Sequence, residues 1–143
     1  MNLDLLTITN DDLIEKICWG DQPLVYIIYA DSAPEETTFL TPPEFKQQVG
    51  FVVYPLGGEV KRHLRLPLER HLTGTSEVLI VRRGCCNMEI YNEARELVAT
   101  RELRSGDVAL MVNGGHGFQM LEDTVFLEVK QGPFLPTQEK EHF

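Results

Sequence analysis

The fold of this chain is decided by residues 57–84, which read Gly57-Gly58-Glu59-Val60-Lys61-Arg62-His63-Leu64-Arg65, then eleven residues, then Glu77-Val78-Leu79-Ile80-Val81-Arg82-Arg83-Gly84. A second stretch, residues 106–116, begins with Gly106-Asp107 and ends with His116 behind a pair of glycines. Both stretches place short apolar runs between glycine turns, which is typical of β-strands joined by tight turns. Two histidines and a glutamate from separate strands would make either a metal site or a polar pocket.

The same pattern continues over residues 50–131 and predicts a series of short strands. Their expected bounds are 51–56, 59–66, 76–82, 85–92, 97–103, 108–112, 116–121 and 124–131. Regularly spaced short strands with glycine and aspartate at the turns predict an all-β sandwich or barrel.

The first 49 residues predict a helix and strand that pack outside this β-region. Asn10 suits a helix N-cap, and three apolar side chains on one face predict a short helix over 11–17. Residues 23–30 are rich in Val, Ile and Tyr and predict a strand that is buried on both faces. A short extended piece at 37–40 and one helical turn at 44–48 follow.

The predicted organisation is a single structural domain with three parts. They are an N-terminal extension (1–49), a β-barrel (50–131) and a C-terminal tail (132–143) that is either a loose end or a strap over a barrel edge. A chain of 143 residues is long enough to bury a core of its own.

The charge and the cysteines narrow the classes of protein to which the chain belongs. A formal net charge of -9 argues against a nucleic-acid partner or an anionic membrane. The chain has no apolar run of roughly 20 residues and no basic N-terminal region, so we expect neither a spanning helix nor a signal peptide. The three cysteines, two of them adjacent, do not suit a disulfide framework, and we expect reduced thiols in a cytoplasmic protein.

These motifs resemble those of the cupin superfamily, which are small β-barrels of the double-stranded β-helix or jelly-roll type. Gly57 and His63 fit the first half of the first cupin motif, and Arg65 stands where its second histidine would be. Glu77 and Gly84 fit the second half with the family's six-residue gap, although the spacer from 66 to 76 is long. The second motif is matched by Gly106-Asp107 and His116, whereas Val112 and Met120 replace its proline and asparagine.

The resemblance implies a divalent metal ion (Fe, Zn, Ni or Mn) held by His63, Glu77 and His116. Two imidazoles and one carboxylate, with positions left open, suit non-haem iron and catalytic zinc. Arg65 departs from the pattern because a guanidinium has no lone pair to donate. It either pairs with Glu77 in place of the ion or turns away and clamps an anionic group of a substrate.

The strand periodicity places apolar residues beside two of these candidates. Alternation puts Leu79 on the same face as Glu77, and Phe118 on the same face as His116, which is the composition of a ligand pocket. Tyr26, Tyr54 and Lys130 are candidates for the pocket mouth, of which we take Tyr54, with Arg65, as substrate-binding. Tyrosines on strands are more often packing residues. His71 is expected in an exposed loop.

Three functions follow from the resemblance, and all require a small-molecule ligand. The first is a metal-dependent oxygenase or isomerase acting on a small anionic or sugar-like substrate. The second is a metal-free sugar-nucleotide epimerase or isomerase with His63 or His116 as general base. The third is a non-catalytic ligand-binding barrel. A homodimer is also expected, because Val78–Val81 and Leu24–Ile28 are apolar on both faces.

Overall fold

A computed structural model describes all 143 residues and shows an all-β protein with antiparallel sheets. Apart from one 3-10 turn at Leu3–Leu5, the regular elements are strands. Their bounds are β1 Leu6–Asn10, β2 Glu15–Trp19, β3 Gln22–Ile28, β4 Thr38–Phe39, β5 Gly50–Phe51, β6 Glu77–Arg83, β7 Cys85–Tyr91, β8 Leu97–Arg104, β9 Val108–Met111, β10 Gly115–Met120 and β11 Val125–Lys130.

The internal contacts divide the chain into two compact units. The main unit consists of Met1–Ser32 and Thr75–Phe143, and the second unit is Ala33–Gly74. The predicted parts, 1–49 and 50–131, have different bounds. The difference arises because residues 1–32 pair with strands from the second half of the chain.

The main unit contains two sheets that share one hydrophobic core. The larger sheet has the strand order β1-β2-β3-β9-β6-β11, and the smaller has the order β10-β7-β8. The core cluster takes Val25 and Val81 from the larger sheet, and Met88 and Leu103 from the smaller. Because both sheets contribute to this cluster, they pack against each other through it.

The alternation of side chains explains why these strands form. In β7, Cys86, Met88 and Ile90 are fully buried, while the residues between them point to the other face. In β6, Leu79 and Val81 are buried on the side of Glu77. The predicted strands of the region 76–131 are confirmed, with bounds that differ by at most one residue at each end.

The predicted helix over 11–17 is wrong. The Asp11 side chain accepts hydrogen bonds from the backbone N–H groups of Leu13 (2.8 Å) and Ile14 (2.9 Å), which closes a turn. Strand β2 follows at once and pairs with both β1 and β3. A side chain that accepts hydrogen bonds from the following backbone N–H groups stabilises a turn as well as a helix start. The two neighbouring strands then provide the hydrogen-bond partners for the backbone of β2.

The N-terminal strands are therefore part of the larger sheet and do not pack outside it. Strand β3 lies between β2 and β9, and each of its residues from Leu24 to Ile28 is buried in the single chain. The prediction of a strand buried on both faces is confirmed. Because this strand is already covered, its apolar character does not require a partner, and the homodimer stays a prediction.

The second unit contains little regular structure. Strands β4 and β5 pair through two residues each, and the Thr41 hydroxyl accepts a hydrogen bond from the backbone N–H of Val49 (3.1 Å). The predicted strands 51–56 and 59–66 are wrong, because only Gly50–Phe51 joins a ladder. The predicted helical turn at 44–48 is also wrong, since a turn closed by Phe45 N–H and Pro42 C=O (3.0 Å) takes its place.

None of the helical segments in this structure has the length and the apolar character that crossing a bilayer requires.

Candidate functional site

Glu77 and His116 meet between the two sheets of the main unit. Glu77 is the first residue of β6 in the larger sheet, and His116 lies in β10 of the smaller sheet. The His116 Nε2 atom is 3.6 Å from a carboxylate oxygen of Glu77, and the two side chains are 31% and 22% exposed. Two of the three predicted ligands are thus neighbours, although they are far apart in the sequence.

A cleft of about 1000 Å³ surrounds this pair. Its apolar lining includes Leu79 and Met111 from the larger sheet and Phe118 from the smaller. The His116 and Phe118 rings are 5.9 Å apart in an edge-on arrangement, which packs one side of the imidazole. Leu79 and Phe118 therefore line the cleft beside Glu77 and His116, as the alternation of side chains predicts.

The turn before β10 fixes the position of His116. Gly114 has φ +74°, and a Cβ atom there would collide with the carbonyl oxygen of Tyr91. A side chain at this position is therefore excluded by backbone strain and by lack of space. The Asn113 side chain also donates a hydrogen bond to the carbonyl of Pro23 (2.9 Å), which ties the turn to the larger sheet.

The charges around Glu77 keep its carboxylate ionised. The interaction with His116 is the largest cause and lowers the pKa of Glu77, and the charges of Lys130 and Lys140 act in the same direction. Burial raises the pKa but is outweighed. At 3.6 Å the two atoms lie beyond the length of an ordinary hydrogen bond.

The C-terminal residues contact the cleft in a way that sequence reasoning did not resolve. Lys130 at the end of β11 forms an ion pair with Glu139 (2.7 Å), and Arg95 forms another with Glu141 (2.6 Å). The ring of Phe143 packs edge-on against Tyr91, with centroids 5.0 Å apart. Residues 132–143 thus contact the main unit at several points, and we call this segment the C-terminal strap.

The remaining predicted site residues lie in the second unit. His63, Arg65 and Tyr54 are exposed and belong to no strand, and the His63 Nδ1 atom is 2.8 Å from the carbonyl oxygen of Lys61. His71 is exposed in a loop, as expected. No three His, Cys, Asp or Glu side chains of this structure form a group that could hold a metal ion. The roles of His63, Arg65 and Tyr54 stay predictions.

Two of the three cysteines, Cys85 and Cys86, are buried, and Cys18 is partly buried. All three are free thiols, and Cys86 is part of the hydrophobic core. Burial raises the pKa of the Cys86 thiol, which disfavours the reactive thiolate. The reduced state of the thiols stays a prediction.

Comparison of the chain with protein-family models, with curated proteins and with solved structures found no match.

Proposed function

We propose that this protein is a cupin-type enzyme that binds a small molecule between its two sheets, with His116 as the general base. The contact between His116 and Glu77 at the centre of the cleft carries this proposal. The cleft combines apolar side chains with convergent polar and charged groups, and ligand sites also combine the two. The cupin motif residues Glu77, Gly84, Gly106 and His116 all belong to the main unit, which supports the assignment.

The reaction class that suits this pair is proton abstraction next to a carbonyl group, as in an isomerase or epimerase. Histidine exchanges protons near neutral pH, and a nearby carboxylate orients the ring and stabilises the imidazolium that forms. Leu79, Met111 and Phe118 supply the apolar part of the lining beside the pair. No metal ion is needed for this chemistry.

The runner-up is a divalent metal enzyme, and the same distance favours it. Two ligand atoms on a tetrahedral zinc ion with bonds of about 2.1 Å lie roughly 3.4 Å apart, close to the observed 3.6 Å. Such an ion would polarise a substrate oxygen. Of the three predicted ligands, the main unit contains these two, and the role of His63 stays a prediction. A barrel that only binds its ligand is the remaining alternative.

Solvent exchange tests the proposal directly. The protein is incubated in D₂O with keto sugars and keto sugar nucleotides, and NMR detects deuterium entering the carbon next to the carbonyl. We expect exchange that EDTA does not affect and that His116→Gln reduces by about 100-fold or more. His142→Gln is the matched control, since His142 lines the same cleft but forms no ion pair with Glu77. Exchange that His116→Gln leaves unchanged would contradict the proposal.

Metal titration separates the runner-up from the proposal. Calorimetry with Zn²⁺, Ni²⁺ and Fe²⁺ is applied to the parent, Glu77→Ala and Arg65→His. If the runner-up is correct, the parent binds an ion, Glu77→Ala abolishes binding and Arg65→His strengthens it by adding a fourth ligand. A parent that binds none of the three ions, together with an Arg65→His variant that does, would reject the metal enzyme.

A further inference from the structure

The C-terminal strap connects the open edges of the two sheets. It starts after β11, which is an edge strand of the larger sheet, and its last residue packs beside β10, which is an edge strand of the smaller. The Phe143 ring contacts Tyr91 and lies so close to Gly115 that a Cβ atom there would meet it at 2.8 Å. Glu139 and Glu141 of the strap line the same cleft as His116.

Lys130 is the one basic residue of β11, and its charge acts on Glu77 of the reactive pair. It lies directly opposite Glu77 in the β6–β11 ladder, so the two side chains project to the same face. Its ammonium group is 2.7 Å from Glu139 of the strap and 3.9 Å from Glu128. The side chains of Lys130 and Glu139 are only 20% and 11% exposed.

We propose that Lys130 binds a carboxylate group of the ligand and that Glu139 occupies this position while the cleft is empty. This inference rests on the proposed function, because it assumes that the cleft between the sheets binds a small molecule. Lys130 would then set the ligand class, which is a small molecule that carries a carboxylate. The carboxylate would be anchored beside Glu77, so that the adjoining carbons of the ligand face His116.

The charges in the cleft favour a ligand carboxylate that replaces Glu139 beside Lys130 over one that binds in addition to Glu139. The cleft is lined by several glutamates, among them Glu77, Glu89 and Glu128, so an additional negative charge would be repelled. A ligand carboxylate that displaces Glu139 leaves the number of charges beside Lys130 unchanged. The displaced Glu139 carboxylate returns to water, where it is well solvated.

The remaining contacts of the strap allow it to move. The Arg95–Glu141 pair is 52% and 78% exposed, and exposed ion pairs contribute little to stability. Phe143 is itself exposed, although Arg95 lies over its ring at 5.3 Å. The Glu139 carboxylate accepts one further hydrogen bond, from the backbone N–H of Leu135 within the strap (3.2 Å). The Lys130 ammonium group also lies over the ring of Phe134 in the strap at 4.9 Å, but Phe134 is exposed. A segment held by contacts that are mostly exposed opens at low free energy.

Acetate is the probe that tests this assignment, and its binding is followed by amide NMR shifts in the full chain. If the strap occupies Lys130 for about nine-tenths of the time, Glu139→Gln tightens the apparent Kd for acetate about tenfold. Glu141→Gln is the matched control, since it removes a strap charge that pairs with Arg95 instead of Lys130, and it should change the Kd much less than Glu139→Gln does. Adding Lys130→Met to Glu139→Gln should abolish acetate binding, with Lys130→Gln as the replacement if that variant does not fold.

Two results would overturn the proposal. One is an equal acetate affinity in the parent and Glu139→Gln, and the other is unchanged affinity after Lys130 is replaced. The readout is independent of catalysis, so the two proposals fail separately. If Glu139→Gln does not tighten acetate binding but solvent exchange is intact, only the role of Lys130 is rejected. Absence of solvent exchange with intact acetate binding rejects only His116 as the base.

Discussion

Arg101 and Glu15 connect the two sheets through a pair of parallel hydrogen bonds. Arg101 in β8 donates from Nε and from a terminal nitrogen to the two carboxylate oxygens of Glu15 in β2, each at 2.9 Å. Tyr29 donates a third hydrogen bond to the same carboxylate at 2.8 Å. Burial and the hydrogen bond to Glu15 together raise the pKa of Tyr29 to about 12. The carboxylate of Glu15 is therefore buried but fully paired.

Removing Arg101 should destabilise the fold strongly. Arg101→Met leaves the charge of Glu15 buried without its main partner, and we expect a loss of about 3 kcal/mol in the free energy of unfolding. Arg104→Met is the control, because Arg104 pairs with Glu102 at an exposed position and should change stability by less than about 0.5 kcal/mol. Urea denaturation measures both. Equal effects in the two variants would show that the pair between the sheets has no special role.

The double variant Arg101→Met with Glu15→Met distinguishes the loss of the ion pair from the cost of burying an unpaired carboxylate. Removing both charges leaves no unpaired carboxylate, so we expect it to recover much of the stability lost by Arg101→Met. No recovery would mean that the packing of the arginine stem, and not its charge, is what matters.

The same carboxylate should make the protein sensitive to acid. Burial alone would raise the pKa of Glu15, but the hydrogen bonds from Arg101 and Tyr29 outweigh it and lower the pKa below the ordinary 4.5. A lowered pKa means that the unfolded chain binds the proton more readily, so this contribution to stability is present above pH 4.5 and is lost as the pH falls through the folded-state pKa.

We therefore expect unfolding midpoints in urea to fall steadily below pH 4.5, and to fall less steeply in Glu15→Gln than in the parent. Glu128→Gln serves as the control, because this glutamate is more exposed and its variant should follow the parent. Identical slopes for the parent and Glu15→Gln would contradict this expectation.

The pKa of Glu77 should depend on His116. The imidazole is the largest cause that lowers this pKa, so His116→Gln should raise it, while burial remains in place. Carboxyl ¹³C NMR titration of the parent and the variant measures the change. His142→Gln should leave the titration of Glu77 as in the parent. A Glu77 titration that His116→Gln does not alter would show that the two groups are not paired in solution.

Two glycines with positive φ should respond differently to alanine. Gly84 has φ +97°, and an added Cβ atom would collide with the carbonyl oxygen of Asp123 and with Thr124. Gly20 has φ +60° with open space around it. We expect Gly20→Ala to lose about 1 kcal/mol through backbone strain alone, and Gly84→Ala about 3 kcal/mol through strain and collision. Thermal unfolding with calorimetry compares them, and equal losses would disprove the close approach at Gly84.

The sequence alone determined the strands from residue 76 to 131, because their signals are local. Alternation in Glu77–Val81 and Cys86–Ile90 fixes which face is buried, and Gly84 and Gly106 mark turns that only a residue free of a Cβ atom makes easily. The same alternation correctly placed Leu79 beside Glu77 and Phe118 beside His116. The sequence predicts these two halves of the cleft because the alternation of side chains along each strand determines which residues share a face.

Only the tertiary structure decided what depends on partners distant in the chain. Residues 15–19 became a strand because β1 and β3 supply hydrogen bonds on both sides, whereas their short apolar pattern alone suits a helix equally well. Residues 59–66 have a strand-like composition but join no sheet. A strand that forms no backbone hydrogen bonds with a neighbouring strand is not stable. The contacts of Glu77 with His116 and of Lys130 with Glu139 likewise arise from packing, which no local pattern encodes.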